Sequence, residues 1–285
     1  MEYLHEVFRT SRRWEVVRSP EHVFEKHIIK RFLFFLIGGQ QAFDDDEDPD
    51  AHDPVATCAD VQAVFGQLNG QGANFHEKTA AQQLAEAVSC YGTGCPADNR
   101  LGEFFVLRKE INGMKNRLFT GHYANDRFSD PNDNKLPSCG PDKTAAEMQQ
   151  QMVNAAMVFQ YMNKQEVFDA FNVVHQRIIG ILQNLDADAL TNNRMPRNLR
   201  PYVPVNSPIT WEAAYIEFMK MFLVDSERKM GLWLFNCRNN YYAKAGQDVA
   251  LKNKVENYAT GNGVYADGAM KLSSLWNELK GNQMT

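Results

Sequence analysis

From Ile209 to about Lys244, apolar residues return every three or four positions, with Trp211, Tyr215, Phe218, Phe222, Met230, Trp233, Leu234 and Cys237 along a broad face. The spacing matches the 3.6-residue period of an α-helix, and so wide an apolar face requires other elements packed over it. The remainder of the chain supplies candidates of the same kind. Lys143 to Asn163 places Met148, Met152, Ala155, Ala156, Phe159 and Met162 at helical spacing, and the pattern resumes from Glu166 through Leu185 after a break at Asn163-Lys164. These two segments are expected to form an antiparallel hairpin or one long kinked helix.

Earlier in the chain, Ser19-Pro20-Glu21 has the order of an N-cap, a proline at the first helical position and an early acid, which predicts a helix running to Gly38-Gly39 with Phe24, Ile28 and Phe35 buried. Thr57-Cys58-Ala59-Asp60 resembles a capping box with Asp in the usual Glu role, predicting a short helix over Ala59 to Leu68. Another is expected from about Glu77 to Ser89. A longer one is predicted from Asp98 to Phe119, carried by Leu101, Phe104, Phe105, Leu107, Ile111, Met114 and Leu118. Gly102 and Gly113 weaken that helix unless another packs closely against it. A last helical region extends from Gln247 to Lys280, interrupted near Gly261-Asn262-Gly263.

No segment shows the strict period-two alternation of a strand, and no internal repeat is present. The expected fold is therefore all-α, an irregular bundle of seven to nine helices with long loops. Three segments punctuate it: the acidic run Asp44 to Asp50 with Pro49, the stretch Thr120 to Pro141, and the four prolines Pro196, Pro201, Pro204 and Pro208. The acidic run suggests a division into residues 1–56, a helical segment with its acidic loop, and residues 57–285, the main helical domain. One continuous domain is the alternative.

Composition narrows the function classes. With 285 residues and 44% hydrophobic content, the chain can bury a core without a cofactor or metal as a staple. A net charge of −5, with Lys and Arg dispersed among acids, argues against nucleic acid as a partner. The most apolar run, Phe32 to Ile37, is far short of the roughly 20 residues that a membrane span needs. The opening Met1 to Glu6 has no secretory character. Against that stand the cysteines. Cys58, Cys90, Cys95 and Cys139 fall in one segment rich in Gly, Pro and Asp and are the candidate disulfide cysteines, with Cys237 expected as a buried thiol. Two disulfides imply an oxidising compartment, so the expectation is an extracellular protein, as part of a longer secreted one whose signal lies upstream.

No sequence-local motif specifies catalysis. Asp44, Asp46 and Asp48 alternate as calcium-loop ligands do, but Pro49 stands where the loop requires glycine and Val55 where it requires a bidentate acid. Asp45, Asp48 and Asp50 have a suggestive spacing for glycoside hydrolysis, yet His52 occupies the place of the proton donor. His22 and His27 are five apart, about 140° around a helix, where zinc-binding histidines stand four apart. The turn Gly92-Thr93-Gly94-Cys95 is neither a nucleophile elbow nor a phosphate loop. Trp211, Trp233 and Trp276 fit core packing better than a sugar-stacking groove. No catalytic, cofactor-binding or metal residue is assigned. Were a site to assemble only in space, Asp98, Arg100, Glu103 and His122 are the candidate participants.

Three stretches carry a family resemblance: Glu103-Phe-Phe-Val-Leu-Arg-Lys-Glu-Ile-Asn-Gly-Met-Lys-Asn-Arg-Leu-Phe119, Ala155-Ala-Met-Val-Phe-Gln-Tyr-Met-Asn163 and Trp211-Glu-Ala-Ala-Tyr-Ile-Glu-Phe-Met-Lys-Met-Phe222. With the Cys90 to Cys95 turn, they resemble the helical region that follows the catalytic barrel in large fungal chitinases of glycoside hydrolase family 18, the killer-toxin-like class. The resemblance implies a secreted fungal module that accompanies a chitinase catalytic domain or contacts cell-wall polysaccharide. It does not imply hydrolysis, because the βα units and the Asp-x-x-Asp-x-Asp-x-Glu motif of the barrel are absent from this sequence. The alternative is a stand-alone intracellular helical interaction protein.

Overall fold

The computed structural model describes residues 18–38, 56–66, 79–89, 103–120, 136–140, 142–191 and 210–245. They form an all-α protein with one small β-ribbon. The elements in chain order are β1 (Arg18–His22), α1 (Lys26–Gly38), α2 (Cys58–Phe65), α3 (Ala80–Ser89), β2 (Phe104–Arg108), α4 (Lys109–Thr120), α5 (Ala145–Met162), α6 (Gln165–Thr191) and α7 (Trp211–Ala245). Among the described residues no helix is long and apolar enough to cross a membrane. The acidic run, the proline-rich segment 192–208 and the helix predicted over Gln247 to Lys280 lie outside the described residues.

Helix starts follow local chemistry. Thr57 and Asp60 close the predicted capping box, with the Asp60 N–H donating to Thr57 Oγ1 at 3.1 Å and the Thr57 N–H donating to Asp60 Oδ2 at 3.0 Å. Thr79 and Gln82 repeat the arrangement before α3, and Thr144 and Glu147 before α5. Each box satisfies backbone donors that a helix start otherwise leaves unpaired. At Glu147 the bonds from the Thr144 backbone and hydroxyl hold its carboxyl below the usual range.

Two predicted helices begin later than their sequence signals suggest. Arg18–His22 is a strand, not the first turn of α1, and Phe104–Arg108 is a strand, not part of a helix from Asp98. The two pair antiparallel, with Arg18 opposite Arg108 and His22 opposite Phe104. Phe104, Phe105 and Val106 belong to the residue types that favour extended backbone, and Pro20 is tolerated because β1 has one neighbour in the ribbon. A two-stranded ribbon is marginal alone, and this one rests against α4.

The core is a single cluster organised by α7. Its first half carries Trp211, Tyr215, Phe218 and Phe222, all fully buried, against α1 and α6. Phe32 of α1 meets Tyr215 edge-on at 5.2 Å and Phe218 at 5.6 Å, while Phe65 of α2 meets Trp211 at 5.2 Å. Phe119 of α4 stacks on Phe222 at 5.7 Å. The second half, with Met230, Cys237 and Tyr241, packs against α5. Helices α5 and α6 are separate, joined through Asn163 and Lys164, and they diverge: α5 packs on α4 and α7, α6 on α3 and α7.

One face of the second half of α7 holds the extended strap 136–140 and the turn after it. Trp233 Nε1 donates to the Pro137 carbonyl at 2.9 Å, Asn240 Nδ2 donates to the Cys139 carbonyl at 2.8 Å, and Lys244 Nζ donates to the Lys143 carbonyl. Between them Cys237 forms a disulfide with Cys139, the Cα atoms 5.0 Å apart. This corrects the expectation that Cys237 is a buried thiol and that Cys139 bonds within the 58–139 segment. The strap crosses α7 within the distance a disulfide spans, and sequence separation hid that proximity. Cys58, also a candidate, is an exposed free thiol on the first residue of α2. Cys90 and Cys95 lie outside the described residues.

The bridge joins residues 98 apart in sequence, a long loop for an unfolded chain to close. Reduction, or Cys237→Ser, is expected to lower the unfolding free energy by about 2–4 kcal/mol. Urea titrations with and without reductant measure the difference.

Candidate functional site

A cleft of about 1020 Å³ opens where α4 passes the start of α1, the strap and the middle of α5. From α4 come Lys109, Asn112, Gly113, Asn116 and Arg117, spaced as one helical stripe, with Glu110 beside it. The opposite face of α4 carries Ile111, Leu118 and Phe119 into the core, so core packing aims the polar stripe outward. Glu25, Lys26 and His27 form a second wall, Pro137 a rim, and Gln151 and Asn154 of α5 the far side.

Glu25 ties the cleft to the interior. Its Oε1 lies 3.1 Å from Nζ of Lys115, which is completely buried. The two charges meet off the direction of a hydrogen bond, so the contact is an ion pair. The same ammonium lies 5.8 Å from the centre of the Tyr161 ring. A buried ion pair pays heavily in lost hydration, and apolar residues of similar size often stabilise a fold as well. Across the cleft, Asn154 Oδ1 accepts from Gln150 Nε2 at 2.9 Å. A Cβ at Gly113 would meet nothing within 4 Å, so no helix packs closely over this glycine and it faces the open cleft.

The residues singled out in sequence are dispersed. Glu103 is engaged with Arg177, whose Nη1 donates to Glu103 Oε2 at 3.0 Å and to the Ala87 carbonyl at 2.8 Å, and whose Nη2 donates to Glu103 Oε1. That fork joins α6, the end of α3 and the start of β2. Asp98, Arg100 and His122 lie outside the described residues, as do Asp44 to Asp50 and His52. His22 ends β1 and His27 opens α1, so they share no helix. Trp211 is core and Trp233 is half-buried against the strap, while Trp276 is outside the described residues. Among the described residues no group of three His, Cys, Asp or Glu side chains is placed to hold a metal.

Sequence reasoning missed the cleft. Its signal was the polar stripe of α4, which resembles any solvent-facing helix side until the strap and α5 close around it. It also missed two buried titratable groups at the α6–α7 interface. His175, fully buried, has Nδ1 3.1 Å from the Tyr215 hydroxyl, and burial pulls its pKa down to about 4. Burial likewise raises the Tyr215 hydroxyl well above its usual range. Asp186 accepts from the backbone N–H of Trp211 at 2.8 Å and of Glu212 at 3.1 Å, so α6 supplies the cap of α7. Burial pushes its carboxyl up to about 6, against the downward pull of those N–H groups.

Compared with family models, characterised proteins and solved structures, the chain matches none.

His175 and Asp186 act on stability in opposite directions. Below pH 6.5 the unfolded chain protonates its histidine while folded His175 stays neutral to about pH 4, so acidification through that window removes about 3 kcal/mol. Asp186 takes up its proton near pH 6 when folded and only near 3.8 when unfolded, so acidification adds about 3 kcal/mol. The two contributions nearly offset. Relative to the native chain, His175→Phe is expected to gain stability as pH falls from 6.5 to 4. Asp186→Asn should lose it. Urea unfolding across pH 4–7 reads both slopes.

Proposed function

We propose that this chain is a noncatalytic helical accessory module of a secreted fungal chitinase-like protein, working beside a catalytic domain or on cell-wall polysaccharide. The observation that carries the reading is that the three resembling stretches, far apart in sequence, pack as one unit. Phe105 and Lys115 of the first reach the Tyr161 ring of the second, at 6.2 and 5.8 Å between ring centres and from ammonium to ring centre respectively. Phe119 of the first stacks on Phe222 of the third. The Cys139–Cys237 disulfide supports the secreted part, since such bonds persist in oxidising compartments.

Sequencing the full-length transcript is expected to show an in-frame barrel with the Asp-x-x-Asp-x-Asp-x-Glu motif upstream of Met1. A stop codon in frame directly before Met1 would remove the reading. Non-reducing peptide mapping of the secreted protein should return Cys139 and Cys237 as one linked pair.

A further inference from the structure

The charges that line the cleft along α4 are not balanced. Glu25 is matched by Lys115 at 3.1 Å, and that ammonium is fully buried, so the pair adds no net charge to the opening. The rest of the charged lining is Lys26, Lys109 and Arg117, set against Glu110. A local excess of cations stands out in a chain whose net charge is −5. Lys26 and Lys109 are both exposed, and among the described residues neither has a carboxylate within ion-pairing distance.

The backbone adds to the same sign. Lys26 is the first residue of α1 and Lys109 the first of α4, so two helix N-termini, each equivalent to about half a positive charge, open at the cleft. The cations are spread along it. Lys109 and Arg117 lie eight residues apart on α4, about 12 Å along the helix axis, while Lys26 stands on the second wall. A single small anion meets one of these groups at a time. A ligand whose anionic groups are linked meets them together, since once one group is held the next binds at high effective concentration. Phosphate suits the donors, because it takes several charge-assisted hydrogen bonds at once from Lys and Arg. A volume of about 1020 Å³ accommodates a chain of such groups.

We propose that this cleft binds a small polyanion of linked phosphate groups, held by Lys26, Lys109 and Arg117. The site is independent of the accessory-module reading. Titration calorimetry of the full, oxidised chain with tripolyphosphate, ATP and orthophosphate tests it. Tripolyphosphate should bind saturably and about tenfold more tightly than orthophosphate, and added salt should weaken it. ATP binding more tightly than tripolyphosphate marks a nucleotide as the source of the phosphates, and equal or weaker binding marks the phosphate chain alone.

Lys26→Gln and Lys109→Gln are each expected to weaken tripolyphosphate about tenfold, the loss of one charge-assisted hydrogen bond. Both side chains are exposed, so thermal unfolding should show the fold intact. Glu110→Gln removes the opposing carboxylate and should strengthen binding about threefold, a gain that a purely structural role for this residue does not produce. Absence of saturable tripolyphosphate binding, or binding undiminished when Lys26→Gln and Lys109→Gln are combined, would each overturn the proposal.

Discussion

A helix of 35 residues with apolar side chains distributed around much of its circumference cannot be satisfied by a single neighbour, and α7 is such a helix. Its length exceeds what any one of the shorter helices covers. The first half is enclosed by α1, α6 and the end of α4, the second by α5 and the strap. The remaining described elements are arranged by where along α7 they make contact. Because α5 and α6 serve different portions of it, they separate after their short link instead of packing face to face. The cleft lies beside this arrangement, where α4 packs on α5 next to the start of α1 and the strap.

Polar groups in this interior fix which arrangement of helices is adopted. Apolar rings such as Phe32, Phe218 and Phe222 tolerate small slips of one helix along another, because dispersion contacts lack direction. The Asp186 carboxylate does not, since it must meet the first two N–H groups of α7. Nor does the Arg177 fork, which meets Glu103 and the Ala87 carbonyl together. His175 and Tyr215 provide a third directional contact, between α6 and α7. Together they set α6 against three neighbours, which follows from the cost of leaving buried polar groups unpaired.

Much of the helical architecture was legible in the sequence because its determinants are local. Thr57 with Asp60 and Thr144 with Glu147 are capping boxes whose partners stand three residues apart, and the apolar spacing of α5, α6 and α7 shows directly in the order of residues. The β-ribbon was hidden. Ser19-Pro20-Glu21 satisfies the local rules for a helix start, and Phe104, Phe105 and Leu107 continue the helical spacing of Ile111 and Met114. Pairing between strands more than 80 residues apart overrides both signals. The Cys139–Cys237 bond was hidden for the same reason, and so was the cleft, whose walls come from four segments that only the tertiary fold brings together.

The hydrogen bonds by which α7 grips the strap and the turn after it go to main-chain carbonyls. Trp233, Asn240 and Lys244 donate to the carbonyls of Pro137, Cys139 and Lys143, and Cys139 contributes the one covalent link through its side chain. Carbonyl oxygens are common to every residue type. Leu136 adds an apolar contact with the core, and Ser138 Oγ accepts from the Gly140 N–H at 3.1 Å, so of the three residues before the cysteine Pro137 is the one held through its carbonyl alone. A rim held by carbonyls at Pro137 and Cys139 keeps its backbone course over α7 whatever side chain Pro137's position presents to the cleft.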